Sequence, residues 1–302
     1  MPVPAVVHSD GYYADIGAHV FPMRKFRLVR EEVVRRGLLA DGDVLVPERA
    51  GEAAVLRVHD RAYVEKLVRG RLSVTEEAVL ELPYSEQLVE ASFLCAGGSI
   101  LAAREALTRG VGINVGGGFH HAFPDHGEGF CVFNDIAIAI RALQHEGRIR
   151  RAAVIDLDVH QGNGTAAIFR DDATVFTFSM HHEQNYPAIK PPSDLDVGLD
   201  TGAAGADYLA ALERHLPSIL DRHRPDLVAY VAGADPYEQD QLGGLKLSRE
   251  DLRRRDRIVF EATASRETPV VAFLAGGYAM RVEDTVGIHA DMVEGAFQAA
   301  RA

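Results

Sequence analysis

Two cysteines, Cys95 and Cys131, in 302 residues cannot build a disulfide framework, which makes a reducing cytoplasm the expected location. No apolar run reaches 18 residues, so no membrane-spanning helix is expected. The stretch from Met1 to Asp10 has no basic region ahead of an apolar one and runs on into Tyr12 and Tyr13, so it is not expected to act as a signal peptide. Positive charge is also in short supply. A net charge of −12 argues against nucleic acid as a partner. It suits a cationic substrate such as a lysine-bearing tail or a polyamine, and equally suits plain acidic solubility. Lysine is scarce, 4 residues against 28 arginines, a bias that says little about chemistry. The chain shows no internal repeat, no low-complexity tract and no evident linker.

What is present is a chain with 47% apolar residues, enough for a large core, in which strand-like and helical patterns alternate throughout. That alternation predicts a single α/β domain over residues 1–302, an open parallel sheet flanked by helices. Buried strands are expected at 5–8, 111–115, 152–158, 175–179, 227–231 and 270–274. Helices are expected at 26–36, 60–68, 85–108, 135–145, 208–223 and 248–265. Gly97-Gly98 falls inside the third helix and marks close packing. Either Asn134 or Asp135 caps the fourth. Residues 187–196, with three prolines, read as an irregular surface loop.

Four of these strands end in Gly-rich or polar segments that hold reactive residue types. In open parallel sheets, ligands bind beyond the carboxyl ends of the strands. After strand 152–158 comes Asp156-Leu157-Asp158-Val159-His160, with acidic and imidazole groups at i, i+2 and i+4. In extended backbone these share one side. Three polar groups at the end of a core strand are costly to desolvate unless something binds them, either a satisfied hydrogen-bond network or a divalent metal. Asp235 follows its own core strand in the same way. Asp158, His160 and Asp235 are therefore the expected metal ligands. Two carboxylates and one imidazole leave positions open for water and substrate, and the same set suits zinc or Fe(II). His120-His121, after Gly116-Gly117-Gly118, supply two proton-handling groups. Asp156 and Asn163 are available to hold one imidazole each. Gly276-Gly277-Tyr278 places a phenol on a flexible turn, where it can donate to a developing oxyanion.

Taken together, Gly117-Gly118-Phe119-His120-His121, Gly129-Phe130-Cys131, Asn134-Asp135-Ile136, Asp156 through Gly164, Gly233-Ala234-Asp235 and Gly276-Gly277-Tyr278 resemble the zinc-dependent histone deacetylase family. The motifs stand in the family's order over roughly residues 95–290. His160-Gln161-Gly162-Asn163-Gly164, and Asp240-Gln241-Leu242-Gly243-Gly244-Leu245 after Asp235, are most similar to class IV members. The resemblance implies the arginase/deacetylase fold, with a parallel sheet of about eight strands, and zinc at Asp158, His160 and Asp235. It implies that His121 takes a proton from the attacking water and later returns one to the leaving amine. His120, hydrogen-bonded to Asp156, would be its electrostatic partner, and Tyr278 the oxyanion donor. Phe130 would form one wall of the acyl-lysine channel, and the Gly129 carbonyl would receive the substrate N–H. A structural potassium is implied near Asp156, Asp158, His160, Ser179 and Met180, partly through backbone oxygens. His126, His181 and His182 match no ligand position.

The chain departs from the class I pattern twice. Asn163 stands where class I members carry Asp as the partner of His121. Gln184-Asn185-Tyr186-Pro187 replaces the usual Gly-Phe-Phe-Pro-Gly of the second channel wall, which either opens a pocket for a longer acyl chain or lets Tyr186 rebuild the wall. The expected activity is removal of an acyl group, acetyl or longer, from a lysine side chain of a protein or peptide. The alternatives are a small acylated amine such as an acetylpolyamine as substrate, or a non-catalytic acyl-lysine binding module. An arginase-like two-metal site needs a carboxylate where Gly162 stands. The sequence gives no oligomeric state.

Overall fold

Short apolar runs bounded by glycine or polar residues make strands that can be buried on both faces, as a parallel sheet between helices requires. The structure, a computed structural model, describes residues 3–301. Its strands are β1 (Ala5–Val7), β2 (Val111–Asn114), β3 (Ala152–Asp156), β4 (Val175–His182), β5 (Leu195–Leu199), β6 (Leu227–Val231) and β7 (Val270–Phe273). They form one sheet in the order β1-β2-β7-β6-β3-β4-β5, with every pair parallel. From β3 the chain steps outward to β4 and β5, then returns to lay β6 on the other side of β3. The order therefore reverses between β3 and β6, and a crevice opens at such a switch point beyond the carboxyl ends.

The helices follow from their caps. Ser85 accepts from the backbone of Leu88 at the start of Glu86–Arg109, and Gly110 closes it at φ 84°. This long helix lies against β1, β2 and β7. A Cβ on Gly97 would strike the backbone carbonyl of Glu48, and one on Gly98 the hydroxyl of Tyr12, so the paired glycines are the close approach that their position predicts. Asn134, not Asp135, caps Asp135–His145, accepting from Ala137 N at 3.0 Å. Asp135 is turned inward and accepts from the backbone of Gly118 and Phe119, pinning the turn that carries the histidine pair.

The sheet has seven strands among the described residues where about eight were expected, and one of the seven went unread. β5 is an edge strand whose residues alternate between half-buried and exposed, so it lacks the solid apolar run of its neighbours. The stretch read as a loop over 187–196 accordingly ends in this strand, with Asp196 in register with Ser179. Helices Asn163–Phe169 and Val282–Arg301 were also not anticipated. The first opens on Asn-Gly, a turn signal. The second buries Thr285, Gly287, His289 and Asp291 on its inner face, which masks the apolar period. Among the described residues, no helix is long and apolar enough to cross a membrane.

Candidate active site

β3 and β6 lie side by side, with Asp156 in register with Val231. The segments leaving them must therefore meet. The Val159 backbone donates to Asp235 Oδ1 at 2.9 Å, and the Gly276 backbone, arriving from β7, donates to Asp158 Oδ2 at 2.8 Å. Beneath these loops the fully buried Arg255 donates to the Gly233 carbonyl at 2.6 Å and to that of Leu157 at 3.4 Å, tying both strand ends to one guanidinium.

Asp158, His160 and Asp235 are brought together as the sequence predicts. Their ligand atoms all lie within 4.8 Å of one another, and all three residues are buried. His160 Nδ1 is 3.1 Å from Asp158 Oδ1 and 3.3 Å from Asp235 Oδ2. Asp235 Oδ2 accepts no hydrogen bond. Burial and then the charge of Asp158 push the Asp235 carboxyl up, while the equal burial of Asp158 is outweighed by His120 and His160, which hold its carboxyl down, so the two carboxylates are unequally served. Two buried carboxylate oxygens and an imidazole nitrogen converging on one point, one of them without a partner, fit a divalent cation.

The histidine pair follows the same partnership logic. His120 Nδ1 lies 2.7 Å from Asp156 Oδ2 and His121 Nδ1 lies 2.7 Å from Asn163 Oδ1. The two imidazoles end in opposite states. Burial opposes charge on His120, but the Asp156 and Asp158 carboxylates outweigh it and push its pKa up to about 9. Burial drives His121 well below the usual histidine range, and the neighbouring His120 and His160 add to this. His121 is thus the neutral, base-ready member.

Tyr278 is less free than its two preceding glycines suggest. Its backbone N–H donates to Asp240 Oδ2 at 2.6 Å and its carbonyl accepts from Gln241 Nε2 at 2.8 Å. Its ring packs against Phe21, Phe130 and His160, with Lys25 Nζ 5.6 Å from the ring centre. A mobile, lightly packed turn was expected, but it is held by Asp240, 38 residues away in the chain. Burial, then the Asp235 and Asp158 charges, push the phenol well up, so it remains a donor.

Phe130 and Tyr186 face this floor from two sides. Phe130 sits 6.0 Å from the Tyr278 ring, stacked on Phe21, and has φ 68°. A left-handed phenylalanine is held only where its surroundings dictate it. Here the backbones of Gly129 and Phe130 donate to Val79 and Leu80. Tyr186 stands 5.0 Å from His121 and 6.2 Å from His160, with its hydroxyl on Glu128. Tyr186 therefore packs against two of the site's histidines and is anchored by Glu128. Ser179 lies opposite Asp156 in the β3–β4 register, and Met180 follows it, buried. His181 and His182 are buried and bonded to Ser179 and Thr201, so neither is a surface histidine, and neither belongs to the three-ligand cluster.

The sequence did not single out Lys25 or Glu128, and it gave Asp240 only as part of the Asp240–Leu245 motif, with no role of its own. Lys25 is fully buried, donates to the Ala275 carbonyl at 2.6 Å and is held down to about 8 by burial. One lysine beside Phe26 at a helix start carries no signal of its own. Glu128 directly precedes the Gly129-Phe130 motif, and that adjacency was the available clue.

The fold and this cluster define an α/β protein with a buried, metal-type active site at the switch point of its sheet. Comparison with known proteins makes that class specific. The histone deacetylase domain model matches residues 19–292. Histone deacetylase 2 of Arabidopsis thaliana is 33% identical over 96% of this chain and 78% of its own. An uncharacterised protein of Picosynechococcus sp. is 42% identical over 96% of both chains. The crystal structure of the HDA15 HD domain superposes with a TM-score of 0.80 over 99% of this chain and 90% of that one, at 21% identity, and so supports the fold. The chain belongs to the histone deacetylase family and is accordingly a hydrolase acting on amide bonds.

Proposed function

We propose that this protein is a zinc-dependent lysine deacylase, and that Asp158, His160 and Asp235 hold the zinc. The single observation that carries the reading is the convergence of three buried ligand-type atoms within 4.8 Å of one another, with the rings of His121 and Tyr278 beside His160. A bound zinc supplies Lewis-acid polarisation of the acyl carbonyl and of the attacking water. The chain's own groups do the rest. His121, held through Nδ1 by Asn163, takes a proton from water at its free Nε2. The water oxygen adds to the acyl carbon, and the Tyr278 hydroxyl donates to the oxyanion that forms. The C–N bond then breaks as His121 returns its proton to the amine nitrogen. His120, kept cationic by Asp156, holds positive charge next to the developing negative charge. Phe130 and Tyr186 clasp the lysine stem, and the Gly129 carbonyl receives the substrate N–H. A potassium ion beside Asp156, Asp158, His160, Ser179 and Met180 belongs to the same reading.

An acetyl-sized acyl group fits best. Tyr186 fills the gap that a longer chain would need. The apolar space behind Phe130, between Phe21, Phe26 and Phe119, amounts to about 10 Å³, the room of a single water. The test is elemental analysis of the purified protein, followed by kinetics on acetyl-, octanoyl- and myristoyl-lysine peptides and on acetylpolyamines. One equivalent of zinc is expected, with kcat/KM falling as the chain lengthens. Rising kcat/KM with length would overturn the acetyl preference. Turnover of acetylpolyamines alone would move the substrate to the small-amine alternative.

A further inference from the structure

The neutral partner of His121 has a problem that a carboxylate would not have. Asparagine offers an oxygen on one side and an NH2 on the other. With the oxygen toward His121, Nδ1 carries the proton and Nε2 is left bare as the base. With the amide turned over, Nδ1 must accept, the proton sits on Nε2, and the base is blocked. Nothing in the Asn163–His121 pair alone selects between the two.

Glu128 makes the selection. Its Oε1 accepts from Asn163 Nδ2 at 2.6 Å and from the Tyr186 hydroxyl at 2.8 Å, while Oε2 lies 3.4 Å from His126 Nε2. An ionised carboxylate is an acceptor only, so it admits the NH2 of Asn163 and excludes its oxygen. Burial raises the Glu128 carboxyl, but hydrogen bonds from His126, Tyr186 and Asn163 outweigh this and keep it ionised. The side chain is 18% exposed, so water does not readily replace these contacts.

We infer that Glu128 is a positioning residue that fixes the amide of Asn163, and through it the tautomer of His121, while tying the Tyr186 wall to the same carboxylate. The inference rests on the reading of His121 as the base. It places the negative charge that class I members carry on the Asp partner one residue further out. It also predicts sign epistasis. In Asn163→Asp alone, the new carboxylate meets Glu128 at hydrogen-bond distance, where two like charges repel. In Glu128→Ala alone, the amide is free to turn. Together the changes remove both faults, because a carboxylate needs no orientation.

The experiment combines kinetics on an acetyl-lysine peptide with long-range 1H–15N spectra of histidine-labelled protein as purified, His121 being assigned by its loss in His121→Gln. In the parent protein the unprotonated nitrogen of His121 is expected to be Nε2. In Glu128→Ala a second tautomer should appear, with kcat down about ten- to a hundredfold, the loss that one charge-assisted hydrogen bond represents. Glu128→Gln, which keeps the volume and guards against a folding failure, should show a smaller shift of the same kind. Asn163→Asp should lose activity alone and regain most of it with Glu128→Ala. An unchanged tautomer in both Glu128 variants, or no rescue in the double variant, overturns the inference. An inactive parent with the Nε2-bare tautomer intact would count against the deacylase reading and not against this one.

Discussion

Asp235 and Asp291 are both buried aspartates, and their surroundings are opposite. Asp291 is 5% exposed and accepts from three guanidinium groups, Arg36 at 2.7 Å, Arg249 at 2.8 Å and Arg253 at 3.2 Å. Asp235 is wholly buried, accepts from one backbone N–H, and leaves Oδ2 without a hydrogen bond, with only the His160 imidazole 3.3 Å away and another carboxylate beside it. A buried charge that is fully paired stabilises the arrangement of the helices around it. One that is left short is tolerated only where a ligand completes it. The first cluster joins Lys25–Arg35, Arg249–Ala264 and Val282–Arg301. The second joins two strand ends across the sheet's switch point.

The contrast breaks most sharply at Asp235. Asp235→Asn should abolish metal binding and lower kcat by about three powers of ten or more, the equivalent of several kcal/mol of lost charge stabilisation. The metal-free variant should melt no lower than the metal-free parent, because one of two repelling carboxylates is gone. Metal analysis and calorimetry on both proteins check this, and full metal content in the variant would remove Asp235 from the ligand set. Tyr278→Phe should lower kcat by about two to three powers of ten, the usual loss of an oxyanion donor. Its Tm should hardly move, since the ring contacts survive. A large Tm loss with kcat unchanged would make Tyr278 a packing residue.

Asp291→Ala should do the reverse of Asp235→Asn. Stability should fall by about 1–3 kcal/mol, discounted because the three arginines reach solvent, while kcat and metal content stay at parental values. Urea titration and steady-state kinetics decide. The smallest effect is one of pH. Arg35 and then Arg36 hold the Glu32 carboxyl down to about 2 against the opposing effect of burial. Burial opposes ionisation of Asp291, but Arg249, Arg253 and Arg36 outweigh it and depress the carboxyl. Both groups therefore bind protons more weakly when folded. Their contribution is complete above the ordinary carboxylate range and is lost as pH falls from about 4.5 toward 2. Glu32→Gln should flatten the decline of Tm in that window by a small amount. An identical decline in parent and variant would show that the cluster does not sense acid.

The sequence made legible whatever depends on neighbours in the chain. Apolar runs at β2, β3, β6 and β7 located the central strands, and the i, i+2, i+4 spacing from Asp156 to His160 located two members of the buried three-residue cluster and a histidine's partner. What it hid depends on distant pairings. β5 is an edge strand with one half-exposed face, and Val282–Arg301 buries Asp291, whose arginine partners come from distant parts of the chain. Tyr278 read as loose because Gly276-Gly277 precedes it, while the residues that hold it are Asp240 and Gln241. Gly276 itself is required by contact rather than flexibility, since a Cβ there would run into Asp235 Oδ2. Glu128 stood beside a recognised motif, but its role depends on Asn163 and Tyr186, 35 and 58 residues away.

The return of β6 to the side of β3 also sets an order of events during synthesis. Asp158 and His160 emerge early, at the end of a strand, β3, that can pair with β4 as soon as β4 follows. Asp235 arrives 76 residues after Val159, the residue whose backbone it accepts from, and reaches its place only when β6 docks. A nascent chain that has not yet released Leu227–Val231 therefore offers two members of the cluster on one strand end and no third. On the proposed reading, cation capture at full strength is thereby reserved for the chain whose central sheet has closed, and loading of the site becomes a late report of correct assembly.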